Sequence, residues 1–246
     1  MLSGTTMSDM GETSVLTEPT AADIVIGGVE PFSMVDWPGH LSATLFLQGC
    51  PWRCTYCHNP ALQSPRVPGT IAWQDVITLL ETRTGKLDAV VFSGGEPTRQ
   101  AALLPAIHAV RAMGFNVGLH TAGAFPARLA RVLPLVDWVG LDVKASPHLY
   151  GEITGIDSSG ERAWQSLDLV RRSGVDFEVR ITVDPTIQSR GQVLSLIDQL
   201  SARGIDRPVL QEVRPDGTNP EYAQALGGRR LFDVLPHEDH PELERR

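Results

Sequence analysis

Residues 89–97 read Ala-Val-Val-Phe-Ser-Gly-Gly-Glu-Pro, four apolar residues that run straight into a glycine pair and a proline. A short apolar run bounded by turn residues is the pattern of a strand buried on both faces. The glycines permit a tight turn, and Pro97 stands where a helix starts. Helical periodicity follows over Arg99–Met113, so strand, turn and helix lie in a row. The same unit recurs on either side. Strands are predicted at Ala43–Leu47, Ala89–Phe92, Val117–Leu119, Trp138–Val143, Phe177–Val183 and Val209–Val213. Helices are predicted at Trp73–Thr82, Pro126–Leu133, Gly160–Arg172 and Arg190–Ala202. This alternation predicts an α/β chain with a parallel sheet covered by helices. Six strands at ~30 residues per unit leave an eight-unit barrel cramped. A partial (β/α)6 TIM-like barrel or an open doubly wound sheet fits the length. Ahead of it, Ile24–Val35 predicts a short antiparallel pair turning at Gly27-Gly28 or Glu30-Pro31. Residues 1–22, rich in Ser, Thr and Gly, predict a disordered extension; residues 23–235 form the core domain, and 236–246 read as a polar, solvated tail.

The whole chain has 246 residues, with 21 basic and 29 acidic side chains and a net charge of −8. Half of that excess comes from Asp9, Glu12, Glu18 and Asp23, which precede the first Lys or Arg. No basic face for nucleic acid is implied. No apolar run approaches the ~20 residues of a membrane span, and no export signal opens the chain, so a cytoplasmic location is expected. Cysteine usage is more informative. There are three, and all fall between positions 50 and 57. An odd, clustered set points to a reducing compartment and to thiolates used as metal ligands.

In parallel α/β folds the chemistry sits at the carboxyl ends of the strands. After the first strand come Gly49 and Cys50, and after the second come Gly94, Gly95 and Glu96. After the third comes His120-Thr121-Ala122-Gly123, and the fourth ends in Asp142-Val143-Lys144. Asp142 and Lys144 share a face because strand side chains alternate, and two such charges need partners or a ligand. Arg180, inside the fifth strand, has the same need, with Glu178 or Glu212 as its structural partner or a bound carboxylate as its functional one. Arg229 and Arg230 read as solvated.

Residues 50–57, Cys-Pro-Trp-Arg-Cys-Thr-Tyr-Cys, space three thiols as C-x3-C-x2-C within one loop. Three readings stand. A structural zinc wants four ligands, and His58 is badly placed as the fourth because it adjoins Cys57. Buried or redox thiols are the second. The third is a four-iron, four-sulfur cube held by three thiolates, whose fourth iron stays open to a substrate or cofactor.

This spacing, with Tyr56 before the last cysteine and a Gly-Gly-Glu turn after the next strand, resembles the radical S-adenosylmethionine (SAM) superfamily. The resemblance spans roughly residues 24–215 and implies an enzyme with a [4Fe-4S] cluster and S-adenosyl-L-methionine as cofactors. It implies that Cys50, Cys54 and Cys57 hold the cluster while SAM chelates the open iron through its amino and carboxylate groups. Reduction then cleaves SAM to methionine and a 5′-deoxyadenosyl radical, which abstracts a hydrogen atom. Gly94 and Gly95 would pass close to the methionine group, with Glu96 near its ammonium. Glycyl-radical-enzyme activating proteins carry a D-x-K where Asp142 and Lys144 stand, with Lys144 facing the carboxylate. Tyr56 and Arg180 complete the expected SAM contacts. Pyruvate formate-lyase activating proteins show D-T-N-G where this chain has His120-Thr121-Ala122-Gly123. The acid is replaced by His120, which could still hydrogen-bond SAM, and Gln211 stands where some relatives place a histidine.

Ser33-Met34-Val35-Asp36-Trp37-Pro38-Gly39, ahead of the first barrel strand, resembles the lead-in of activating proteins of anaerobic ribonucleoside-triphosphate reductase. The implied function is removal of a glycine Cα hydrogen from such a reductase, with a flavodoxin- or ferredoxin-type electron donor. The alternatives are a small-molecule radical enzyme of the 7-carboxy-7-deazaguanine synthase kind and a non-catalytic iron–sulfur or zinc protein.

Overall fold

The computed structural model describes residues 18–246, so the extension expected over 1–22 lies mostly outside the described residues. One sheet of seven strands runs in the order β1 to β7 with no reversal. The strands are β1 (Ile26–Ser33), β2 (Ser42–Leu47), β3 (Ala89–Gly94), β4 (Asn116–Thr121), β5 (Trp138–Asp142), β6 (Asp176–Val183) and β7 (Val209–Glu212). β1 is antiparallel to β2, and every later pair is parallel. The order decides between the two candidate architectures. A doubly wound sheet reverses its strand order and carries helices on both faces, whereas consecutive right-handed crossovers put them all on one face. The six parallel strands therefore build the partial (β/α)6 barrel.

The connecting helices are α1 (Trp73–Glu81), α2 (Leu103–Ala112), α3 (Pro126–Val132), α4 (Tyr150–Thr154), α5 (Ser159–Ser173) and α6 (Arg190–Ser201). α7 (Pro220–Leu226) and α8 (Leu231–Val234) follow β7. The long helices match their expected positions within a few residues. α2 starts late because Gln100 is extended. Its side chain bonds the backbone of Val25 and the Gln48 carbonyl, which ties the helix entry to the strands before it. α4, α7 and α8 were not anticipated, being too short to display a period.

One expectation needs correction. No hairpin forms within Ile24–Val35; Gly27 and Gly28 lie inside β1, which pairs along its length with β2. One eight-residue strand gains more ladder bonds than two stubs would, and Pro31 is tolerated because β1 is an edge. The C-terminal tail is polar and largely exposed, as expected, but its last residues are not free. Leu210 N donates to Glu244 O and Arg246 N donates to Leu210 O, each at 2.9 Å, while Leu243 is buried. The tail thereby occupies the open edge of β7.

Strand side chains alternate between a helix-packed layer and the concave face. Val90, Phe92, Val117, Leu119, Val139, Leu141, Val179 and Ile181 join the main core. Their neighbours in sequence, including Ser93, His120, Asp142, Arg180 and Thr182, line the concave side. Lower on that side, Trp37 stacks on Trp138 at 5.5 Å and packs with Ala89 and Val91 as a separate plug.

Candidate active site

A cavity of about 610 Å³ opens at the carboxyl ends of the strands. Cys50, Cys54, Tyr56 and Cys57 line one side, Gly94 and Gly95 the next, and His120, Asp142, Lys144 and Arg180 the floor. Every expected site residue is there except Glu96.

The cysteine loop is held from three directions. Thr154 O and Ile153 O in α4 accept from Arg53 N and Thr55 N, each at 2.9 Å. Asp184, buried just past β6, accepts from Thr55 Oγ1 at 2.8 Å and from Tyr222 Oη of α7 at 2.7 Å. His58 Nε2 accepts from Arg214 N at 3.2 Å, which joins the loop to the exit of β7. These anchors lie up to 156 residues away, and no local pattern announced them. Burial pushes the Cys50 thiol up to about 12, and burial also raises Cys54. Such thiols become thiolates when a metal takes the proton's place.

The Gly-Gly-Glu turn reads differently in three dimensions. Gly94 has φ +113°, and a Cβ there would lie 2.2 Å from Leu47 N. The glycine thus lets the end of β3 press against the end of β2, where the cysteine loop begins. Glu96 is fully buried and does not face the cavity. Its Oε1 accepts from Thr98 N, Thr98 Oγ1 and Thr121 Oγ1 at 3.1, 2.6 and 2.7 Å, and its Oε2 from Ala122 N at 3.0 Å. Burial pushes this carboxyl up while those bonds pull it back. Through these bonds Glu96 braces the exits of β3 and β4.

On the floor, cross-strand register sets Asp142 opposite Arg180. Arg180 Nε lies 3.1 Å from Asp142 Oδ1, and Lys144 Nζ lies 3.6 Å from Asp142 Oδ2. Neither expected partner serves Arg180: Glu178 pairs with Arg246 and Glu212 with Arg230. Arg230 is accordingly paired, and Arg229 Nη1 donates to Pro185 O at 2.8 Å. Burial raises the Asp142 carboxyl, but Arg180 and Lys144 outweigh it and leave it below the usual range. Gly140 makes room for the guanidinium, since a Cβ there would sit 2.9 Å from it. Arg180 Nη2 donates to Gly140 O at 3.2 Å.

His120 Nε2 lies 2.6 Å from Asp36 O and so must carry the proton; Nδ1, at 3.2 Å, accepts from Ser93 Oγ. Burial and then Arg180 push this imidazole down to about 3. Arg180 Nη1 lies 3.3 Å from that same protonated Nε2. Two donors face each other, which leaves Nη1 free for an acceptor on a ligand.

The pattern of the Radical SAM superfamily matches residues 44–208, from β2 to just before β7. The chain belongs to this superfamily. A Methanocaldococcus jannaschii protein assigned to glycyl-radical enzyme activation is 27% identical over 212 residues, covering 82% of this chain and 85% of its own. The pyruvate formate-lyase-activating enzyme of Clostridium pasteurianum is 30% identical over 231 residues, 89% of this chain and 95% of its own. Among solved structures, Streptococcus suis SuiB bound to S-adenosylmethionine superposes with a TM-score of 0.55 at 16% identity. It covers 81% of this chain, which spans 47% of SuiB, and that likeness is one of fold.

Radical SAM enzymes use a [4Fe-4S] cluster and S-adenosylmethionine, and the residues present suit both. Three thiols reach one cavity whose volume lies within the ~300–1,000 Å³ usual for cofactor sites. Trp52 and Tyr56 both line the cavity, and among the described residues their buried Nε1 and Oη have no hydrogen-bond partner. Among the described residues no helix is long and apolar enough to cross a membrane.

Proposed function

We propose that this radical SAM protein is an activase working in the cytoplasm, which removes a Cα hydrogen from one glycine of a partner glycyl radical enzyme. The partner is an anaerobic ribonucleoside-triphosphate reductase, and a flavodoxin or ferredoxin supplies the electron. The observation that carries the reading is the position of Ser33–Gly39. Its Asp36 carbonyl is bound by His120 on the cavity floor and its Asp36 Oδ2 by Thr44 Oγ1 at 2.7 Å. Beside it, Met34 and Val35 are 65% and 79% exposed. One short segment thus touches the reaction chamber and presents an apolar rim to an approaching protein. The two relatives aligned over most of their length, one named for glycyl-radical enzyme activation and the other for pyruvate formate-lyase activation, support an activase role.

In this reading Cys50, Cys54 and Cys57 hold the cluster, and Lys144 and Arg180 receive the SAM carboxylate. Asp142 holds both cations in place, so that neither must reorganise when the ligand arrives. Tyr56 flanks the cofactor, with the backbone of Gly94 and Gly95 opposite. Neutral His120 keeps Arg180 Nη1 free and anchors the rim. When bound, the cluster and SAM supply the electron and the hydrogen-abstracting radical; the chain contributes orientation and the exclusion of water.

The test is anaerobic reconstitution with dithionite, SAM and the reductase. A glycyl radical signal by EPR and 5′-deoxyadenosine in the supernatant are expected, with Cys54→Ala abolishing both. Deoxyadenosine without a protein radical, in the presence of the reductase, refutes the activase reading in favour of a small substrate.

A further inference from the structure

Trp52 stands between Cys50 and Cys54 in the cysteine loop. It is 1% exposed, its ring meets Tyr150 edge-on at 5.9 Å, and the surrounding side chains belong to the main core. Yet Trp52 also lines the cavity, and its buried indole nitrogen has no hydrogen-bond partner among the described residues. A buried N–H without a partner costs about 1–3 kcal/mol, so an unexplained one beside a ligand cavity points to an acceptor that the ligand brings. Tyr56 Oη is also unpartnered, but a phenol both donates and accepts and so identifies no particular ligand group. An indole only donates. An acceptor carried by a group seated among the cysteines would complete it.

We propose that Trp52 Nε1–H donates a hydrogen bond to a sulfur of the iron–sulfur cluster and raises its reduction potential. The inference rests on the radical SAM assignment and on the three cysteines holding the cluster. The physical reason is charge: reduction adds an electron, much of it on sulfur, and a donor aimed at sulfur stabilises the more negative state. Hydrogen bonds to sulfur are among the levers that set such potentials. Trp52 therefore makes the cluster easier to reduce, by whichever donor delivers the electron.

The test compares wild type with Trp52→Phe, both reconstituted anaerobically and assayed for iron and sulfide before any activity. Equal loading with a more negative midpoint potential in Trp52→Phe, measured by EPR-monitored titration without SAM, is expected. An unchanged potential at equal loading overturns the inference, as does a shift that emerges only when SAM is added, because the donor would then serve SAM. Wild-type protein with indole-15N tryptophan guards against a variant that fails to fold. Pulsed EPR of its reduced cluster is expected to show a 15N coupling, and the absence of one overturns the proposal. Failure of wild type to bind a cluster would instead sink the cofactor assignment, so the two failures are distinct.

Discussion

Replacing Glu96 separates a structural carboxylate from a cofactor-binding one. Its two oxygens satisfy four donors in a site closed to solvent. In Glu96→Ala the hydroxyls of Thr98 and Thr121 can rotate toward other acceptors, but the amides of Thr98 and Ala122 cannot. Two stranded amides at about 1–3 kcal/mol each give a loss of about 4 kcal/mol. Glu96→Gln is milder. Its amide oxygen can take the place of Oε1 and keep three donors, and its NH2 then opposes only Ala122 N, for a loss of about 1–3 kcal/mol. Urea denaturation of the cluster-free proteins under reducing conditions measures both. The expected order is wild type, then Gln, then Ala, before any cofactor is present. Should both variants unfold within about 0.5 kcal/mol of wild type while KM for SAM rises tenfold, the brace is refuted and Glu96 returns to the SAM ammonium.

Two further outcomes follow from the same geometry. His120 is held neutral, with its folded value near 3 against 6.5 when unfolded. Between those values the unfolded chain takes up a proton that the fold excludes, so this residue costs stability as pH falls below 6.5. The cost reaches about 2 kcal/mol at pH 5, and His120→Asn should remove that part of the slope in denaturation midpoints taken from pH 7 to 5. Gly94→Ala forces a Cβ into the Leu47 backbone at a φ of +113° and should cost about 3 kcal/mol or more. Gly39→Ala, at φ +79° with open space around it, should cost about 1–2 kcal/mol, which thermal melts of the two variants would check.

The parallel strands and the long helices between them were legible from local pattern, and ten of the eleven candidate site residues line one cavity. Apolar runs between turn residues mark strands because burial on two faces demands it. The polar residues at their ends mark the chamber because parallel strands present those ends together. The C-x3-C-x2-C loop marks a candidate metal centre, since thiols at such short spacing can wrap one compact group. The short helices, the tail along β7 and the role of Glu96 were not legible. Each depends on a partner distant in sequence: Glu96 finds Thr121 and Ala122 one βα unit on, and Arg246 finds Glu178 68 residues back. A carboxylate beside two glycines looks the same in sequence whether it faces a ligand or braces two loops. Which of the two it does is set by packing, because only the folded backbone decides whether donors from another strand reach it before a ligand can. Composition and periodicity thus determined the parallel α/β chain and the place of the thiols, and tertiary structure alone decided the strand order that makes the barrel and which charges the protein keeps for itself.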